Sequence, residues 1–109
     1  VIYMRKEVKL MQQIIQDITN YITSRGGQYA DWYVGITSDI NQRLFNDHAV
    51  NKTLDHWIYR TANLSSEARN MEQYFQSLGC DGDSGGGDNT SIIVYAYKKA
   101  YKQKNKLFL

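Results

Sequence analysis

Residues 32–43 read WYVGITSDINQR. The first five are aromatic, β-branched or glycine, a composition typical of a short buried strand. The Thr-Ser-Asp that follows is typical of a helix start, with Ser38 or Asp39 as the capping residue. The stretch therefore predicts a strand that leads directly into a helix, which would extend to about Ala49 and carry Arg43 on its flank.

Four further segments complete one domain around this strand and helix. Apolar residues at three- and four-residue steps predict an N-terminal helix within residues 1–25 and another helix over residues 64–78. Residues 56–61 (HWIYRT) and 91–99 (SIIVYAYKK) are predicted to be strands. The 109 residues suit a single domain in which helices flank a small three-stranded sheet. Helical connections permit parallel as well as antiparallel pairing, so these patterns leave the strand directions open.

The overall composition is that of an ordinary globular domain. Apolar residues make up 42% and charged residues 22% of the chain, which excludes a wholly disordered or fibrous protein. No apolar run reaches the roughly 20 residues that span a bilayer, and no secretory signal pattern opens the chain, so we expect a soluble, cytoplasmic protein without a membrane partner. The single cysteine, Cys80, excludes an intrachain disulfide and a zinc site built on paired thiolates.

Charge is unevenly distributed, although the formal net charge is only +2. Residues 98–109 form a basic tail with five lysines and no acid, whereas residues 80–88 contain three aspartates and no base. A basic tail is usually solvated, and the alternative is that Lys98 and Lys99 contact the phosphates of a bound substrate.

The glycine-rich segment 81–89 (DGDSGGGDN) fits neither of two familiar ligand-binding loops. An EF-hand calcium loop that began at Asp81 would need an oxygen-bearing side chain at Gly85 and a glutamate at Ile92. A phosphate-binding P-loop would need Lys-Ser or Lys-Thr after the glycines. We therefore expect a mobile surface loop beside the site.

Residue types suited to phosphodiester chemistry recur along the predicted elements. Cleavage of this bond requires an activated nucleophile, a cation for the charge that grows on the phosphate, and help for the departing oxygen. Tyr33 and Gly35 lie in the first strand, Arg43 lies on the next helix, and Glu67 and Glu72 lie on the last helix. Gly35 has no Cβ, so a substrate or a helix could approach its backbone closely.

Each of these side chains also has a purely structural interpretation. Tyr33 could be one core aromatic among nine tyrosines, and Arg43 could pair with Asp39 on the helix surface. Glu67 suits the positive end of a helix dipole. Periodicity does not choose between Glu67 and Glu72, since both flank the buried stripe.

Taken together, these residues resemble the GIY-YIG nuclease family. Residues 33–35 (YVG) resemble the family's YIG element, and Arg43 follows that glycine by eight residues, as the family's arginine does. Ala68 precedes Glu72 by four positions, as an alanine precedes the catalytic glutamate in the family's third helix. The likeness covers about residues 32–89 and favours a mixed α+β domain with a small antiparallel sheet.

The resemblance implies a metal-dependent endonuclease that hydrolyses DNA, with RNA as the alternative substrate. Tyr33 would help to activate the nucleophile, Arg43 would stabilise the phosphate, and Glu72 would hold one Mg²⁺ or Mn²⁺. His48 is a further catalytic candidate, with a helix-end hydrogen-bonding role as its structural alternative. Asn89 lies near the place of the family's asparagine, although the proline that often precedes it is missing.

The family's opening GIY strand, which pairs with the YIG strand and supplies another tyrosine, is absent. By spacing, residues 20–22 (NYI) would take its place, but they close a periodic helix. Alternatively, strand 91–99 fills the vacant position in a permuted arrangement, and Tyr95 then replaces the missing tyrosine, with Tyr97 on the same face. The second arrangement is preferred because residues 94–98 (VYAYK) alternate as a strand does.

Two other classes of function compete with the nuclease. One is a catalytically inactive nucleic-acid- or protein-binding domain that kept this fold, and the weaker one is a protein-interaction domain with no affinity for nucleic acid. A domain of this size would need help to select its target. We expect that help to come from a homodimer or from a partner protein.

Overall fold

The computed structural model describes residues 6–83 and 85–100, and the fold is α+β. The elements in chain order are α1 (Lys6–Ser24), a short 3-10 turn (Tyr29–Asp31), β1 (Trp32–Thr37), a π-helix (Asn41–Asp47), β2 (Trp57–Thr61), α2 (Ser65–Ser77) and β3 (Ile93–Lys98). The rest of the predicted basic tail, residues 101–109, and residues 1–5 lie outside the described residues. Within the described ranges, none of the helices combines the length and the apolar character needed to cross a membrane.

The three strands form one antiparallel sheet with β3 in the middle. The strand order is β1-β3-β2, and β3 runs antiparallel to both neighbours. Gly35 of β1 lies opposite Tyr95 of β3. The predicted return of the C-terminal strand to residues 33–35 is therefore confirmed, whereas residues 20–22 are helical and do not enter the sheet.

The side-chain alternation of β1 and β3 separates two cores on the two faces of the sheet. On one face α1 and α2 cover the apolar residues of the strands, with Trp32, Val34, Val94 and Ala96 completely buried. The other face carries Tyr33, Tyr95 and Tyr97, which pack with Leu44 of the π-helix and with Val50. Burial of each large apolar side chain contributes about 1.5–3 kcal/mol, so both faces stabilise the position of the central strand.

The helix predicted after β1 has wider turns than expected. The backbone N–H of His48 donates to the carbonyl of Arg43 at 3.0 Å, five residues earlier, and Ala49 ends the segment with a left-handed φ of 56°. At the start, the Asp39 carboxylate accepts a hydrogen bond from the backbone N–H of Gln42 at 3.1 Å, which confirms Asp39 as the cap. Arg43 and His48, at the two ends of this wide turn, both reach the tyrosine face, where each interacts with Tyr95.

Candidate active site

A cavity of about 360 Å³ opens beside the outer edge of β1. Its lining comes from β1, the π-helix, α2, β3 and the loop that connects α2 to β3. Five residues that the sequence predicts for the site lie together here: Tyr33, Gly35, Arg43, Glu72 and Tyr95. Four separate elements therefore bring this set of side chains to one place.

Gly35 provides the space in which the ring of Tyr95 lies. A Cβ added at Gly35 would collide with the hydroxyl and the ring carbons of Tyr95, its cross-strand partner. Tyr95 is 1% exposed, and burial raises its pKa to about 12. The group that lies close to the backbone of Gly35 is thus the ring of Tyr95, a residue of the same sheet.

Gly35→Ala is expected to destabilise the protein by about 1–3 kcal/mol, because Tyr95 must leave its position or the strands must separate. The measurement is urea unfolding followed by circular dichroism. Gly86→Ala is a matched control from the same cavity lining, since its added Cβ would lie 3.7 Å from the nearest atom; we expect a change within about 0.5 kcal/mol. Equal losses in the two variants would contradict the packing of Tyr95 on Gly35.

His48 joins two tyrosines of β3 and contributes to the site through them. Its Nε2 lies 2.9 Å from the hydroxyl of Tyr95, and its Nδ1 lies 3.0 Å from the hydroxyl of Tyr97. A neutral imidazole donates from one nitrogen and accepts at the other, so it can link both hydroxyls. Burial and the charge of Arg43 lower the pKa of His48, which favours this neutral form.

Arg43 is the cation of the cavity. Its Nη2 lies 3.3 Å from Oδ2 of Asp83 and its Nη1 lies 3.5 Å from Oδ2 of Asp47, so the carboxylate that pairs with it on the helix is Asp47 and not Asp39. Burial lowers the pKa of Arg43, but the hydrogen bond and charge of Tyr95, together with Tyr33 and Asp47, raise it above its ordinary value. The guanidinium is permanently charged and suited to an anionic ligand.

Glu72 is a buried carboxylate whose side chain is 3% exposed. Its Oε1 accepts a hydrogen bond from Nη1 of Arg69 at 3.1 Å, and burial raises its pKa even though Arg69 counteracts the shift. Glu67 instead accepts a hydrogen bond from the backbone N–H of Leu64 at the start of α2. Of the two glutamates that periodicity could not separate, Glu72 is therefore the one that lines the cavity.

A divalent metal ion would have one buried carboxylate here. Among the residues that the structure describes, no cluster of three or more histidine, cysteine, aspartate or glutamate side chains is arranged to hold a metal. Mg²⁺ usually keeps several waters and binds one or two carboxylates together with substrate phosphates. Glu72 fits that mode of binding.

The acidic residues of the connecting loop also belong to the cavity, although sequence reasoning assigned them no role. The hydroxyl of Tyr33 donates a hydrogen bond to Oδ2 of Asp83 at 3.0 Å, and Asp88 and Ser91 line the cavity nearby. The available signal was the run of aspartates without a compensating base in residues 80–88. Such a run needs a cation from elsewhere in the fold, and Arg43 supplies one.

Three predicted substrate-binding residues lie away from the cavity. Asn89 is exposed and does not contribute to the lining. Lys98 is opposite Trp32 in the sheet, three residues beyond Tyr95, and its Nζ contacts the carbonyl of Arg25 at 3.4 Å. Lys99 pairs with Asp81 at 3.3 Å. The two lysines thus lie at the C-terminal end of β3, beyond Tyr95, and neither lines the cavity.

Comparisons of the chain with protein-family models, with curated proteins and with solved structures found no match. The functional assignment therefore rests on the geometry and chemistry of this cavity.

Proposed function

We propose that this protein is a metal-dependent endonuclease that hydrolyses phosphodiester bonds in DNA. The observation that carries the proposal is the convergence of Tyr33, Arg43, Glu72 and Tyr95 on one cavity from β1, the π-helix, α2 and β3. A tyrosine pair, a permanently charged guanidinium and a buried carboxylate can supply the proton transfer, the positive charge and the metal ligand that this reaction uses.

The sheet supports a permuted relationship to the GIY-YIG nucleases. In that family the GIY strand pairs with the YIG strand and contributes a tyrosine. Here β3 pairs with residues 33–35 and contributes Tyr95, although it comes last in the chain instead of first. The pairing supports the proposal that Tyr95 takes the role of the missing tyrosine.

In the proposed reaction, Arg43 binds the scissile phosphate and stabilises the negative charge that increases in the transition state. Tyr33 takes a proton from the attacking water, and Tyr95, held by His48, donates a hydrogen bond at the same centre. Glu72 would hold Mg²⁺ or Mn²⁺, and a bound ion would supply further positive charge beside the phosphate. Such an ion would also offset the charge of the three carboxylates that line the cavity, those of Glu72, Asp83 and Asp88.

Location and targeting are part of the same proposal. We place the protein in the cytoplasm, since its single cysteine, Cys80, is a buried free thiol and reducing conditions preserve free thiols. Selection of a target site would come from self-association or from a partner protein. Light scattering of the purified protein, with and without DNA, measures the first of these.

The direct test is nicking of supercoiled plasmid DNA in Mn²⁺, with EDTA as the metal-free control. Tyr33→Phe is expected to lower the nicking rate about 100-fold, because it removes the group that takes the proton of the attacking water. Tyr74→Phe provides a matched control, since Tyr74 is 43% exposed on α2, outside the cavity lining. Salt-sensitive DNA binding without any cutting would instead identify an inactive binding domain.

A further inference from the structure

The hydroxyl of Tyr33 already carries a proton that it shares in a hydrogen bond, and this determines whether Tyr33 can act as a base. The Tyr33 hydroxyl donates to Oδ2 of Asp83 at 3.0 Å, so its own proton points toward a carboxylate. Burial, followed by the charge of Tyr95 and the hydrogen bond to Asp83, raises the pKa of Tyr33 well above its ordinary value. The hydroxyl is therefore protonated at neutral pH, and Tyr33 can accept a proton from water only if it passes its own proton on.

The other bases near the cavity have different partners. Both ring nitrogens of His48 contact the hydroxyls of Tyr95 and Tyr97. The Glu72 carboxylate contacts Arg69. Asp83 is the carboxylate in hydrogen-bond contact with Tyr33, and its side chain is 69% exposed, so that it can release a proton to solvent after each turnover.

We propose that Asp83 is the proton acceptor through which Tyr33 works as a base, an inference that rests on the nuclease function proposed above. The water oxygen forms a bond to phosphorus while its proton moves to Oη of Tyr33. The original Tyr33 proton moves to Oδ2 of Asp83, and the bond from phosphorus to the leaving oxygen breaks. That oxygen is then protonated from solvent, and Asp83 returns its proton to solvent.

Arg43 connects this proton transfer to binding of the phosphate. Its Nη2 contacts the same Oδ2 of Asp83 at 3.3 Å, which holds the carboxylate in place before the reaction. A protonated Asp83 is neutral and attracts the guanidinium less than the carboxylate does. Arg43 thus gains freedom to interact with the phosphate as negative charge builds up there.

The test measures kcat and KM for nicking, together with the Kd for the same DNA without metal. Asp83→Asn is expected to lower kcat about 100-fold, with little change in Kd, and Asp83→Glu is expected to retain more activity than Asp83→Asn because it keeps a carboxylate. Added formate is expected to restore part of the activity of Asp83→Ala, a rescue that a structural role would not give. Asp81→Asn is the matched control, since it makes the same charge change in the same loop at a residue that pairs with Lys99.

Two results would overturn the proton-acceptor role while the nuclease function stands. If Asp83→Asn cuts as fast as the unaltered protein, or faster, Asp83 competes with the phosphate for Arg43. If formate leaves Asp83→Ala unchanged and Asp83→Glu is as slow as Asp83→Asn, the carboxylate does not accept the proton. An unaltered protein that cuts no nucleic acid would overturn the nuclease function itself.

Discussion

Arg43→Ala is expected to reduce the rate of plasmid nicking in Mn²⁺ at least about 10³-fold, the effect of removing an arginine that stabilises a phosphoryl transition state. The guanidinium is the cation of the cavity, and three carboxylates share that cavity with it. Without Arg43, a phosphate would enter a site dominated by negative charge. Single-turnover rates at saturating protein separate this loss of catalysis from a loss of binding.

Arg60→Ala is the matched control for the loss of an arginine. Arg60 lies on β2, is 44% exposed, and pairs with Asp17 of α1 at 3.0 Å on the other face of the sheet. We expect nicking by Arg60→Ala to match that of the unaltered protein. Similar losses in both variants would indicate a general electrostatic effect, and full activity in Arg43→Ala would place the phosphate elsewhere.

Glu72→Gln is expected to lower nicking about a thousandfold, because a bound divalent ion supplies several kcal/mol of transition-state stabilisation and an amide is a poor ligand for it. The substitution preserves the shape of the side chain. Nicking rates over a range of Mn²⁺ concentrations distinguish weakened metal binding from a loss of activity at saturating metal. Glu67→Gln, on the same helix but at its start, should leave these rates unchanged.

The same substitution is expected to raise the melting temperature at neutral pH. Burial raises the pKa of Glu72 above its usual 4.5, so the folded state prefers the neutral carboxyl. The stabilisation associated with that raised pKa is complete below the usual value and is lost as pH increases through the folded-state pKa. Glutamine is neutral throughout. As the pH is raised from 4 to 8, the melting temperature of the unaltered protein should therefore fall relative to that of Glu72→Gln. A parallel pH dependence in both proteins would contradict the burial effect.

Much of the secondary structure could be predicted because it follows from local patterns. Two examples are the apolar stripe of α1 and the aromatic, β-branched composition of β1, since both patterns arise within one element. The helix after β1 is only partly predictable. Asp39 caps it as the sequence indicates, but the hydrogen bond from His48 to Arg43 gives it π-helical turns that depend on packing against the tyrosine face.

The members of the site differ in how far a sequence pattern can identify them. Tyr33, Arg43 and Glu72 were predicted from a motif with characteristic spacing, and they lie around one cavity. Asp83 could not be predicted, because its role depends on contacts with residues 40 and 50 positions earlier in the chain. Asn89 occupies the expected position in the sequence, but its neighbour Asp88 lines the cavity and Asn89 does not.

The sequence by itself determined the helices, the strands and the motif from Tyr33 to Arg43, since periodicity and spacing act over a few residues. Only the tertiary structure decided that the ring of Tyr95 lies against Gly35 and that Asp83 accepts the hydrogen bond of Tyr33. The physical reason is that strand order, register and loop position depend on contacts between residues far apart in the chain, whose relative positions a local pattern does not specify.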